Sequence, residues 1–186
     1  ALHLVRQQAG PYAAQECEIV ERQVRHLARL VDDLLDVSRV RRGSIDLRRE
    51  RVAVAAVIAR AVEMAGPLVE ARAHTLTLDV PADLRVDGDP QRLAQVFTNI
   101  IGNAAKYTEP GGGIAVSARR DQGWIVIACR DDGIGIRADL LSRVFDLFVQ
   151  GDRALDRRQG GLGLGLGVAR TLVERHGGTI QAHSDG

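Results

Sequence analysis

Apolar residues along this chain repeat with more than one period. Between about Gln15 and Arg42, Val20, Val24, Leu27, Val31, Leu34 and Ser38 alternate four and three apart, the a and d positions of a heptad. Leu30 and Leu35 widen that stripe only slightly. A run this long with so narrow a seam predicts a helix packed against partner helices, where a helix covering its own domain would show a broader face. A shorter helical piece, Leu2, Val5 and Ala9, precedes it and stops at the turn "GPY" (10–12). Residues 1–44 therefore read as a helical hairpin whose first helix begins part-way along. Gly43, within arginine-rich "RVRRGSIDLRRER", ends the second helix, and "IDLRRERV" suits an extended linker or edge strand.

The remaining residues, 45–186, alternate between helical and strand periods. A helix is expected over Val54–Ala73, then an alternating strand, "HTLTLDV", and a turn over Asp87–Pro90. Asp89-Pro90 is a helix start, with a carboxylate at the cap and proline at the first helical position. The helix "QRLAQVFTNIIGNAAKYT" that follows is apolar at Leu93, Val96, Phe97, Ile100, Ile101 and Ala104. "GGG" (111–113) predicts a turn between it and two strands, "IAVSARR" and "WIVIACR". A loop and helix come after Asp131, then aperiodic polar "VQGDRALDRRQ", a helix from about Leu166, and a last short strand, "TIQAHS". Mixed helices and strands of this kind predict an α+β sandwich, a mixed sheet with helices on one face, preceded by the partial hairpin and expected to lack its last, closing strand.

Composition narrows this picture. Hydrophobic residues make up 45% of the chain but aromatics only 3%, so aliphatic side chains must build the core. A net charge of +1 advertises neither nucleic acid nor a membrane surface as partner. Cys17 and Cys129 stand in unrelated contexts, which suits two buried thiols in a reducing, cytoplasmic compartment. No apolar run is long enough to span a bilayer, so any membrane anchor would belong to a longer parent.

Three stretches could carry chemistry. In "NIIGNAAKYT", Asn99 and Asn103 share one helix face, with Lys106 and Tyr107 one turn on. Amide oxygens are hard donors for Mg²⁺ and an ammonium is a point charge for phosphate, so this face suits a metal-bound polyphosphate or is simply solvated. In "WIVIACRDDGIGI", a strand runs into Asp131, Asp132, Gly133, Gly135 and Ile136. Gly133, Gly135 and Ala138 match the dinucleotide fingerprint GxGxxA, but two carboxylates just before the glycines would repel a pyrophosphate. A carboxylate there better accepts from an exocyclic amine such as that of adenine, with glycines letting the backbone approach the base. An acidic turn is the plain alternative. In "GGLGLGLGVAR", Gly161, Gly163 and Gly165 would bring backbone N–H groups to phosphate at a helix start. No GxxxxGK[ST] occurs. The preceding polar stretch has the character of a lid, and its Arg153, Arg157 and Arg158 either reach phosphate or are solvated.

In this order the pieces resemble the sensor histidine kinases of two-component systems, whose ATP-binding domain has the Bergerat fold shared with type II topoisomerases, mismatch-repair ATPases and a heat-shock chaperone. "NIIGNAAKYT" is similar to their N box, "DDGIGI" to the first glycine box, "VFDLF" (Phe145, Phe148) to the phenylalanine box and "GGLGLGLG" to the second glycine box. "LARLVDDLLDVSRV" resembles the second helix of the dimerisation and phosphotransfer hairpin. The resemblance runs over about residues 12–184.

What it implies is specific. Asn103 would hold Mg²⁺, Asn99 would support the metal or the phosphates, and Lys106 would contact phosphate. Tyr107, Asp131, Gly133, Gly135, Ile136 and Phe148 would form the base and ribose side. Gly161, Leu162, Gly163, Leu164 and Gly165 would form the lid hinge and phosphate side. The implied function is transfer of the ATP γ-phosphoryl group to a histidine and on to a response-regulator aspartate, in a homodimer joined through the heptad helix, with no nucleic-acid or direct membrane contact. The family's H box is the departure. None of His3, His26, His74, His176 and His183 stands in one, so the chain as given is expected to bind ATP without phosphorylating itself. The competing expectations are a nucleotide-gated interaction module or pseudokinase and, more weakly, an NAD-dependent enzyme.

Overall fold

The computed structural model describes residues 46–149 and 162–185, together with Val20 and Val24. Those two heptad positions are helical and exposed, at 47% and 54%. The rest of the seam lies outside the described residues.

Strand β1 (Glu50–Ala53) leads directly into helix α1 (Val54–Ala71), followed by β2 (Thr75–Asp79) and β3 (Arg85–Gly88). Helix α2 (Pro90–Tyr107) precedes the long strands β4 (Gly113–Asp121) and β5 (Trp124–Asp131), the short α3 (Ala138–Leu141), and α4 (Gly165–Arg175). The predicted elements are present within a few residues of their expected limits. Two expectations differ. The stretch before Asp89 is not all turn, because Arg85–Gly88 pairs antiparallel with β1, Val52 opposite Val86. The last segment has no ladder: residues 178–185 carry no regular structure, although burial still alternates from Thr179 to Asp185. Its described anchor is the Ser184 hydroxyl, which accepts from the Ile136 amide at 2.8 Å.

The main sheet is β2-β4-β5. β2 runs parallel to β4, Leu76 opposite Ile114, and β5 runs antiparallel to β4, Val116 opposite Cys129. Gln122 and Gly123, both at positive φ (46° and 87°), close the β4–β5 hairpin as a two-residue turn matching the strands' twist. The strands' apolar alternation puts Ile114, Val116 and Ala118 inward against Val54, Ile58, Ala61 and Ala65 of α1 and Ile101, Ala104 and Ala105 of α2. A second cluster joins α2 to α4 through Val96, Leu164, Val168, Ala169 and Leu172. Ile100 belongs to this second cluster, so the apolar stripe of α2 is divided between two partners. No aromatic residue is among the fully buried hydrophobics of the described residues, and aliphatic packing is the core.

Candidate functional site

The site is built along α2. Asp89 caps it: one carboxylate oxygen accepts from the amides of Gln91 and Arg92, each at 3.0 Å, and Pro90 removes one orphan donor. Burial opposes ionisation of this carboxyl, but hydrogen bonds from the Arg92, Arg48 and Gln91 amides outweigh it and hold Asp89 below the usual aspartate value of 3.8. Helix period then places Asn99, Asn103 and Lys106 on one half-buried face. Asn99 Nδ2 donates to the Gly165 carbonyl at 3.0 Å, which fixes the start of α4 against the middle of α2. The Asn103 side chain, one turn on, makes no hydrogen bond among the described residues, and its amide is available to a ligand. Lys106 Nζ donates to Tyr107 Oη at 2.9 Å and stands 4.6 Å from that ring's centroid.

The end of β5 closes the other side. Asp131 shares a strand face with Ile127 and Cys129, so it projects towards the helix layer. Its Oδ1 accepts from the Gly133 amide at 3.1 Å. The Ile134 amide donates to the Tyr107 carbonyl at 3.2 Å, joining this loop to the last turn of α2. A Cβ on Gly133 would lie 2.6 Å from the Tyr107 carbonyl oxygen and 2.7 Å from Asp131 Oδ1, so only glycine fits this approach. Burial, with help from the Asp131 carboxylate, pushes the half-buried Cys129 thiol up to about 11. Asp132, which pattern reading left without a role, turns away and accepts from the Gly113 amide with both oxygens, at 2.9 and 3.0 Å. No local signal in the sequence announces that clasp.

The hinge is made differently. Gly163 offers its carbonyl to the Phe148 amide at 3.0 Å, and Leu164 is 1% exposed in the α2–α4 cluster. The Leu164 side chain is thus core, and only its backbone is left to meet a ligand. Leu162 is exposed, so of these two leucines only Leu164 is packed into the core. Phe148 is also exposed, with φ at +66°, while Leu147 of the same "VFDLF" packs against the α2–α4 cluster. Gly161 and the arginines at 153, 157 and 158 lie outside the described residues.

The arrangement is a strip along α2 from Gly165 to Ile134. Its donor set fits a metal-bound phosphate chain, with a hard amide oxygen at Asn103 and an ammonium one turn away. No group of three or more His, Cys, Asp or Glu that could hold a metal by itself occurs among the described residues. A shallow depression of about 200 Å³ lined by Thr75, Thr77, Ala115, Arg130, Asp131 and Asp132 lies at the end of the sheet where β5 reaches this strip.

A family model described as histidine kinase-, DNA gyrase B-, and HSP90-like ATPase matches residues 88–186, the stretch that holds the whole strip. The chain belongs to this family. It is 34% identical over 180 residues to the signal transduction histidine-protein kinase BarA of Escherichia coli K12, covering 94% of this chain and 20% of BarA. The chain thus spans about a fifth of that relative's length. Its fold is similar to that of the Acinetobacter baumannii histidine kinase AdeS (TM-score 0.75, 24% identity, 96% of this chain and 80% of that chain). It is also similar to full-length ShkA in complex with AMPPNP (TM-score 0.74, 23% identity, 98% of this chain and 39% of that chain). The expected family and the α+β fold are borne out. The dinucleotide reading fails, because β5 before the glycines pairs antiparallel with β4 and, among the described residues, no βαβ unit surrounds them. No described helix is long and apolar enough to cross a membrane.

Proposed function

We propose that this chain is the ATP-binding catalytic region of a sensor histidine kinase. It would pass the γ-phosphoryl group to a histidine of the dimerisation helices and from there to a response-regulator aspartate. The observation that most supports this is the Asn99–Gly165 contact, which brings the hinge to the same helix face as Asn103 and Lys106. In this reading Asp131 accepts from the adenine amine over the floor made by Gly133 and Gly135, and Tyr107, Ile136 and Phe148 flank the base and ribose. Asn103, supported by Asn99, would hold Mg²⁺, and the ion would supply charge neutralisation for the phosphates. Lys106 and the backbone of residues 161–165 orient the phosphates. The protein's contribution is positioning and electrostatics, as phosphoryl transfer requires. Residues 1–44 act as the helical hairpin that pairs two copies, residues 45–186 as the nucleotide domain, and the chain works in the cytoplasm. None of its five histidines stands in an H box, so the acceptor histidine is outside the boxes found here.

Calorimetric titration with Mg-ATP tests the site. Asn103→Ala should weaken Mg-ATP binding by about tenfold or more while the unfolding midpoint stays near that of the parent, since the amide supports no described contact. Unchanged affinity in a folded Asn103→Ala protein rejects the metal assignment. Formation of phosphohistidine from labelled ATP, on an added H-box helix, separates a kinase from a nucleotide-gated module.

A further inference from the structure

We infer that His176 is a positioning residue that sets the lid hinge from the far end of α4. It touches neither Asn103 nor Asp131. Helix α4 is 11 residues, about 16 Å of rod, and it is tied to α2 at both ends. At its start the Gly165 carbonyl accepts from Asn99; at its end stands His176, the C-cap residue. Both imidazole nitrogens are engaged there. Nδ1 lies 2.7 Å from the Leu172 carbonyl oxygen, and Nε2 lies 2.9 Å from the Asp89 amide nitrogen. A carbonyl can only accept and an amide N–H can only donate, so Nδ1 donates to Leu172 and Nε2 accepts from Asp89. The seat is fitted to this ring: a Cβ on Gly88 would stand 2.9 Å from His176 Cδ2 and 2.7 Å from Leu93 Cδ1.

The same junction carries the cap of α2 and the segment entering the domain. Asp89 Oδ2 accepts from the Arg48 amide at 3.0 Å, Arg49 donates to the Arg175 carbonyl, and Leu47 packs on the cluster that contains Leu164 and Leu172. The buried α2–α4 cluster holds the two helices together, and the ties at its two ends, Asn99 and His176, set the direction in which Gly165 and the hinge leave α2. The imidazole therefore acts on the phosphate side of the site through a rigid helix. This rests on the reading of residues 161–165 as the phosphate side of an ATP site.

The test compares His176→Ala, which leaves the Asp89 amide unpaired, with His176→Gln, whose amide oxygen can accept from it. Mg-ATP titration and hydrogen exchange of the same proteins are the readouts. His176→Ala should raise the Mg-ATP dissociation constant about tenfold. It should also speed exchange of amides 163–168 by about tenfold while the β4–β5 ladder keeps its parental rates. His176→Gln should restore both to within about twofold. Equal acceleration in β4–β5, unaltered hinge exchange, or failure of glutamine to restore it would overturn the inference. Should His176→Ala not fold, Gly88→Ala, which crowds the ring without removing it, must show the same selective hinge exchange or the inference falls. A parent protein that binds no Mg-ATP defeats the proposed function instead, and hinge exchange alone then decides the role of His176.

Discussion

The two ends of the strip along α2 are held by different means. The Asp131–Ile136 end is held mostly through backbone: the Ile134 amide to the Tyr107 carbonyl, the Asp132 amide to the Gly113 carbonyl, and a glycine with no room for a methyl group. The hinge end has one such backbone bond, Phe148 to Gly163, and otherwise rests on side chains, one amide of Asn99 and one buried leucine. Backbone contacts within a few bonds of a sheet ladder leave little freedom, whereas a side-chain tether yields when a competing ligand offers the same group a partner. The Asp131 end is preformed, and the Gly165 end is adjustable.

Leu164→Ala strikes the adjustable end hardest. Removing a fully buried leucine should cost about 3 kcal/mol in urea unfolding, and hinge amides should lose protection before the sheet does. Gly133→Ala breaks the preformed end by forcing a methyl group against the Tyr107 carbonyl. It should cost about 2 kcal/mol in the same assay and abolish measurable Mg-ATP binding. Smaller unfolding changes at both positions than at an exposed alanine such as Ala59 would erase the contrast.

Much of this was legible in the sequence, and for identifiable reasons. Asp89-Pro90, the apolar period of α2 and the alternation in β4 and β5 are local rules, and each element formed where its pattern lay. The positions of Asn99, Asn103 and Lys106 on one face follow from helical spacing alone. That Asn99 donates to Gly165, 66 residues away, follows from no local rule, nor does the clasp of Asp132 on Gly113. The split of the α2 stripe, with Ile101 on the sheet side and Ile100 under α4, required knowing that a second helix packs there.

Two weaker probes sharpen the contrast. Because the Asp89 carboxyl is held below 3.8 in the folded state, its stabilising contribution is complete above that value and is lost as pH falls through the lower, folded value. Asp89→Asn keeps a cap oxygen and should flatten the acid limb of a thermal-stability profile below about pH 4. An unchanged acid limb would count against the carboxylate's role. At Cys129, a thiol near 11 holds the thiolate fraction at pH 8 about two orders of magnitude below that of an ordinary cysteine. Alkylation followed by mass spectrometry should find Cys129 slow in the folded protein and fast once urea is added. Equal rates in both would show that the Asp131 end is open.

By itself the sequence determined the order of elements, the cap of α2, the aliphatic core and the residue types available to a nucleotide, because these depend on spacing within a few turns or one strand. Only the tertiary structure decided which groups remain free for a ligand. It engaged Asn99 with the hinge, buried Leu164, gave Asp132 to a neighbouring turn and seated His176 against Asp89. It also paired β2 parallel to β4 and left residues 178–185 without a ladder. A hydrogen bond between residues 66 or 87 positions apart depends on how whole elements pack, and no periodicity records that.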